Sequence, residues 1–201
     1  MQSTTALTPF FTPPEAIRLM LSVLDPHTDQ HDGVRILEPC AGEGRIIREL
    51  RGAYPEACLM AVEPRDELRG DCDAAGADVV VTSGAVEYAE RLAIGRYRPF
   101  DIIVTNPPFS MACDIWDACW PLLRHGGQQV FFQRLSWLSS QSRAEFWDRY
   151  PGTDVWVCPG RFSFVDSGAV DRWDYGVFVC RKGDHERTGR WRRLPVEGGE
   201  A

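Results

Sequence analysis

Five runs of apolar, β-favouring residues recur along the chain: GVRILEP (33–39), CLMAVEP (58–64), ADVVVTS (77–83), FDIIVTN (100–106) and GQQVFFQ (127–133). Within each run neighbouring positions are apolar, not only alternate ones, so a strand built from it is apolar on both faces. Such strands need cover from both sides, and helices crossing between parallel strands supply it. The connecting segments fit this. GEGRIIRELRGAYP, AVEYAERLAIG and SMACDIWDACWPLLRHGG carry apolar residues at helical spacing. Ahead of the first run, TPPEAIRLMLSVL reads as a helix with Thr12 as N-cap and proline in its first turn. The alternation predicts an α/β fold with a doubly wound, mainly parallel, Rossmann-like sheet.

The pattern changes towards the C-terminus. TDVWVCPG (153–160) and RWDYGVFVC (172–180) both read as strands, joined by RFSFVDSGAVD without a helix. Consecutive strands with no crossover pair antiparallel. A seven-stranded sheet with an antiparallel edge strand is expected, in one domain over 1–182, followed by a polar, flexible tail over 183–201.

Charge and cysteine usage narrow the function classes. A formal net charge of −7 leaves no room for a general basic face of the kind that grips duplex nucleic acid, so any such face is local. The stretch RKGDHERTGRWRRL holds six of the 22 Lys and Arg residues and is the best candidate; a solvated terminus is the competing reading. Seven scattered cysteines with no CxxC pair, and four histidines that do not cluster, point away from a disulfide framework and from any metal. They suit a reducing compartment, hence the cytoplasm. No apolar run approaches the roughly eighteen residues of a membrane span, and MQSTTALTPFFTPPE lacks the basic start and long apolar stretch of a signal peptide. No membrane partner is expected.

Ligands of doubly wound sheets bind at the carboxyl ends of the strands, near the point where strand order reverses. The residues just after each run are the informative ones. After the first comes EPCAGEG, with Glu38, Cys40, Ala41, Gly42 and Gly44. Glycines there let a ligand approach the backbone, and the helix start offers free N–H groups. After the second comes Glu63, a carboxylate placed to accept from both hydroxyls of a ribose. Acidic residues beside the glycine loop disfavour a pyrophosphate and suit a cationic ligand. The fourth run ends in Asn106, Pro107, Pro108 and Phe109. Neither proline has an N–H to offer a neighbouring strand, so the sheet stops there on a rigid corner.

The series TPPE, EPCAGEG, AVEP, NPPF, each piece but the first closing an apolar run, resembles class I S-adenosylmethionine-dependent methyltransferases. Among them it is similar to the amino-methyltransferases whose fourth motif is (D/N)PP(Y/F/W). The order of the motifs, with FFTPPEA first and NPPF later, resembles the gamma arrangement of DNA adenine-N6 methyltransferases. The likeness covers roughly residues 10 to 133. More loosely, PGRFSFVDSGAVDRWDYGVFVC is similar to the closing segment of small phage adenine methyltransferases.

By that resemblance the cofactor is S-adenosylmethionine, held by Phe11, Thr12, Glu38, Cys40, Gly42, Gly44, Glu63, Ser83 and Asn106. Thr12 would contact the methionine carboxylate, Glu38 the methionine amino group and Glu63 the ribose. The Asn106 side-chain oxygen and the Pro107 carbonyl would accept the two hydrogens of the target amino group. Pro108 would help to fix the corner, and Phe109 would stack on a base turned out of its helix. The third motif departs from the family: where an Asp usually holds the cofactor's adenine amino group, this chain has Thr82, Ser83 and Gly84, with Glu87 further along.

Arg134 and Arg161, with Trp137, Phe162 and Phe164, form either a basic and aromatic rim for a nucleic-acid strand or part of a core packed by the amphipathic stretch QRLSWLSSQSRAEFW. Trp116, Trp120 and Leu123 are at helical spacing and read as core. The expected substrate is adenine N6 in DNA, with DNA ahead of RNA. Little chain remains for target recognition, so a homodimer or a specificity partner is expected to supply it. Guanine-N2 of RNA, the glutamine amide of a protein, and a non-catalytic binding module on the same scaffold are the rival readings.

Overall fold

The computed structural model describes residues 11–25, 33–164, 171–183 and 189–193. In chain order the elements are α1 (Pro14–Ser22), β1 (Arg35–Glu38), α2 (Arg45–Ala53), β2 (Cys58–Val62), α3 (Arg69–Ala74), β3 (Val79–Val81) and α4 (Ala85–Ala93). Then come β4 (Phe100–Thr105), α5 (Ala112–Cys119), β5 (Leu123–Arg134), α6 (Ala144–Arg149), β6 (Asp154–Val157), β7 (Tyr175–Arg181) and β8 (Trp191–Arg193). The described strands form one eight-stranded sheet in the order β3-β2-β1-β4-β5-β7-β6-β8.

The apolar runs explain the layers. Successive residues of one strand enter opposite cores: Ile36, Ile102 and Val130 face the cluster that includes α1, α2 and α3, whereas Leu37, Ile103 and Phe131 face the cluster that includes α4, α5 and α6. Every residue of β4 is buried, as a central strand covered on both sides must be. Trp116 is fully buried at the middle of the second cluster, edge-on to Phe131 at 4.8 Å, and Leu123 is buried with it, while Trp120 is half-buried at its margin.

The strands from β1 to β5 pair in parallel. As expected, β6 and β7 pair antiparallel; β7 is also antiparallel to β5. The antiparallel strand does not lie at the sheet's margin, because β6 and then the short β8 extend the sheet past it, β8 running parallel to β6. β8 lies inside the stretch read as a polar tail. Three residues with one apolar side chain gave no periodic signal, and their pairing with β6 is set by tertiary contact. The helix α3 was also unmarked, its six residues RGDCDA placing only Cys72 in the core. No described helix is long and apolar enough to cross a membrane.

The chain runs outward from β1 to β3 and returns to β4 beside β1. That reversal opens a crevice between the carboxyl ends of β1 and β4. Glu38 is the last residue of β1, and Thr105 the last of β4.

Candidate active site

The glycine loop is shaped by two residues with positive φ. Gly44, at φ 73°, precedes α2, and a Cβ there would lie 2.7 Å from that of Ala75 and 3.1 Å from the Cys72 Cα. Its bareness lets α3 pack against the loop. Gly42, at φ 55°, is different: a Cβ would meet only an Arg65 guanidinium nitrogen at 4.0 Å. The space over Gly42 is open to a ligand.

Glu38 is wholly buried across the switch point. One carboxyl oxygen accepts from the Thr105 hydroxyl at 2.5 Å and from the Cys40 N–H at 3.1 Å; the other has no partner. Burial pushes this carboxyl up to about 8, against the smaller opposing effect of those two hydrogen bonds. Cys40 is half-buried, and burial holds its thiol well above the ordinary range, so it lines the loop as a neutral group.

Glu63, 4% exposed, takes the Gly42 N–H on one oxygen at 2.9 Å. Its other oxygen accepts from the Arg65 backbone N–H at 3.1 Å and the Arg65 Nε at 2.6 Å. The carboxylate is thus locked to the glycine loop, with a half-exposed arginine on its outer oxygen.

Ser83 is buried two residues past the end of β3, where its hydroxyl donates to the Gly84 carbonyl at 3.3 Å. Thr82 donates to Asp66 at 3.1 Å, so an exposed carboxylate stands beside the third motif although it comes from the turn after β2. Glu87 is exposed on α4, paired with Arg91.

At the fourth motif the Asn106 side chain bridges two distant segments. Its amide Nδ2 donates to the Thr12 hydroxyl at 3.0 Å, and its Oδ1 is buried with no partner. Thr12 does not cap α1, which follows Pro13 with no side-chain cap. Its hydroxyl is the acceptor that fixes which way the Asn106 amide points. Phe11 lies on the same segment, with the Arg45 guanidinium 4.3 Å from its ring centre. Pro107 is buried and Pro108 exposed; the Pro107 carbonyl accepts from Gln133 Nε2 at 3.4 Å. Phe109 is half-buried, 6.1 Å from the Tyr175 ring, with the Arg134 guanidinium 4.4 Å above it.

The rim of aromatic residues is not formed. Trp137, Phe162 and Phe164 are 3%, 7% and 4% exposed and belong to the cores, because the hydrophobic gain from three large rings outweighs their use at a surface. Trp137 is carried on a short 3-10 turn and Phe146 on α6, so the stretch after β5 packs inward. Arg161 is exposed and pairs with Asp174. Arg134 does reach the corner, at Phe109.

Three contributors are absent from the set that the sequence suggests. Thr105 is a lone hydroxyl ending a buried apolar strand, a signal that was readable. Gln133 is the penultimate residue of β5 and is 1% exposed, a buried amide near a strand end. Arg65 follows Glu63 by two positions, and nothing in the sequence marks it.

No family model matches the chain. It is 32% identical over 100 residues, half of its length, to the modification methylase CviBIII of Paramecium bursaria Chlorella virus NC1A, and that match spans a quarter of the viral protein. Among solved structures, it superposes on a Listeria monocytogenes protein described as a class I S-adenosylmethionine-dependent methyltransferase. That match has TM-score 0.68 and 12% identity, over 96% of this chain and 68% of the other. Human methyltransferase-like protein 13 in complex with SAH matches with TM-score 0.60 and 16% identity, over 86% and 83%. The fold is that of the Rossmann-like class I methyltransferases.

Proposed function

We propose that the protein is an S-adenosylmethionine-dependent methyltransferase acting on an exocyclic amino nitrogen, with adenine N6 in DNA as the target. The observation that carries this reading is the Asn106 side chain, turned by Thr12 so that its oxygen is left without a partner at a corner of two prolines. A buried acceptor left unmet costs about 1–3 kcal/mol, and an amino group is the donor that suits it. The fold's solved relatives and the viral modification methylase support methyl transfer, and the latter favours DNA as the polymer.

The residues fit the cofactor. The unpartnered oxygen of buried Glu38 suits a cationic amino group, the open space over Gly42 admits a ligand against the backbone, and Glu63 presents acceptors to a ribose once Arg65 moves aside. S-adenosylmethionine supplies a methyl group on a sulfonium centre. An exocyclic amino group is a poor nucleophile because its lone pair is delocalised into the ring. Asn106 Oδ1 and the Pro107 carbonyl, accepting its two hydrogens, favour a tetrahedral nitrogen whose lone pair is free to attack. These dipoles are held in place before the target arrives, which is what makes them effective. No strong base is required, since the proton is acidic once the methyl is attached. Phe109 stacks on the ring that carries the amino group.

The test is methyl transfer from radiolabelled S-adenosylmethionine to unmethylated genomic DNA, bulk RNA and a protein lysate in parallel, with digestion of the product to nucleosides. N6-methylated deoxyadenosine supports the proposal. Label in RNA or protein alone keeps the chemistry and replaces the substrate, and no transfer to any of the three overturns it.

A further inference from the structure

Arg134, the last residue of β5, lays its guanidinium over two rings at the fourth-motif corner. Its Cζ is 4.4 Å from the centre of Phe109 and 5.0 Å from that of Trp173, an indole 39% exposed. Two polar groups hold it there: the Asp171 carboxylate at 3.3 Å and the Tyr175 hydroxyl at 3.4 Å. Tyr175 in turn donates to Asp171 at 2.6 Å, so the anchor is itself fixed. A guanidinium is planar, delocalised and weakly hydrated, and lies flat on aromatic faces. A nucleobase is a planar group that uses the same faces.

We propose that Arg134 occupies, in the free protein, the place on Phe109 where the target ring stacks, and that entry of the ring moves it aside. The inference rests on Phe109 being the stacking ring. The Asp171 carboxylate remains the arginine's nearest counter-charge as it moves, so displacement costs chiefly its contacts with the two rings and the Tyr175 hydroxyl. An aromatic base replaces the contact with Phe109 with its own π-face. A glutamine side chain offers only a small carboxamide plane in place of an aromatic ring and leaves the arginine where it is. The slot therefore selects nucleobases over protein amides.

The probe is 2-aminopurine riboside, whose fluorescence is quenched when it stacks and which carries no net charge, so loss of a cation cannot alter its affinity through long-range attraction. It is titrated into the wild type, R134Q, R134K and F109A, each checked for an intact thermal transition. R134Q removes the stacked cation and is expected to bind the probe roughly threefold to tenfold more tightly. R134K keeps the charge opposite Asp171 but loses the plane, and is expected to fall between. F109A is expected to lose the probe. If neither Arg134 variant binds more tightly while F109A still loses binding, this proposal falls and the stacking role of Phe109 stands. Undiminished binding by F109A overturns the stacking role and the proposal with it, as does absence of binding by all four proteins.

Discussion

The two halves of the crevice meet at the switch point but are made of different chemistry. On the β1–β2 side the polar groups are carboxylates: Glu38 buried with one oxygen unmet, Glu63 tied to the Gly42 N–H. On the β4–β5 side they are neutral, the Asn106 amide and the Pro107 carbonyl, and they stand beside the apolar Phe109 ring. Carboxylates recognise a fixed cation or a pair of hydroxyls, and gain most from charge. Neutral acceptors aimed at an amino group change its electron distribution without removing a proton. Each half also carries an arginine on its key residue, Arg65 on Glu63 and Arg134 on Phe109. The first is a charge pair and the second a face contact, in keeping with the ligand proposed for each half. Two halves of different chemistry should fail separately.

The largest separation is expected from Asn106→Ala. Removing one preorganised acceptor costs on the order of 100- to 1000-fold in turnover by analogy with other preorganised groups. Binding of S-adenosylhomocysteine, measured by calorimetry, should stay within about threefold, because only the Thr12 contact is lost on that side. Equal loss of both would mean that Asn106 serves chiefly to hold the segment carrying Phe11 and Thr12 over the crevice, and the comparison breaks.

Glu63→Gln is the mirror experiment. The proposed ribose contact of this carboxylate, with the Gly42 N–H it already accepts, would be worth about 1.5–3 kcal/mol, or roughly 10- to 100-fold in cofactor affinity. Turnover at saturating cofactor should change little. A fall in turnover with unchanged affinity would move Glu63 out of the cofactor half.

The glycine pair sharpens the comparison within the first half. Gly44→Ala puts a methyl 2.7 Å from Ala75 as well as straining the backbone, and should lower stability by about 2–3 kcal/mol in urea unfolding. Gly42→Ala meets nothing closer than 4.0 Å, so only the positive φ remains, about 1 kcal/mol. Its larger consequence should be weaker cofactor binding, because the methyl stands in the open space over the loop. Equal stability losses would show that Gly42, too, is needed for packing.

Much of this was legible in the sequence, for identifiable reasons. Strands apolar on both faces admit few arrangements, so the sheet and its two cores followed from runs such as FDIIVTN. Residues at strand ends are placed by the backbone alone, and Glu38, Glu63 and Asn106 fall at the same edge of the sheet because their strands do. What was hidden depends on long side chains and tertiary contact. Arg65 and Arg134 reach their rings and carboxylates through flexible stems whose direction no periodicity encodes. Thr12 looked like a helix cap because its local sequence fits one, and the Asn106 amide, 94 residues away, made it an acceptor instead. Trp137, Phe162 and Phe164 suited a surface rim as well as a core in composition, and burial decided between them.

The smallest effect tests the join between the halves. Glu38 has its carboxyl raised to about 8 from an ordinary 4.5, chiefly by burial. The unfolded chain gives up that proton near 4.5 and the folded one near 8, so the folded state holds more protons in between, and stability falls as pH rises through that window. A cation bound against Glu38 favours the charged form, so at pH 7 cofactor binding should release up to about one proton, measured by calorimetry in buffers of different ionisation enthalpy. Affinity should then rise by at most about tenfold from pH 7 to pH 8. In Glu38→Gln both the proton release and the part of the slope due to this group should vanish, leaving only the titration of the ligand's own amino group. An unchanged slope in that variant would mean that Glu38 stays neutral beneath the ligand, still accepting from the Thr105 hydroxyl and the Cys40 N–H, and that the cationic group is recognised elsewhere along β1 and α1.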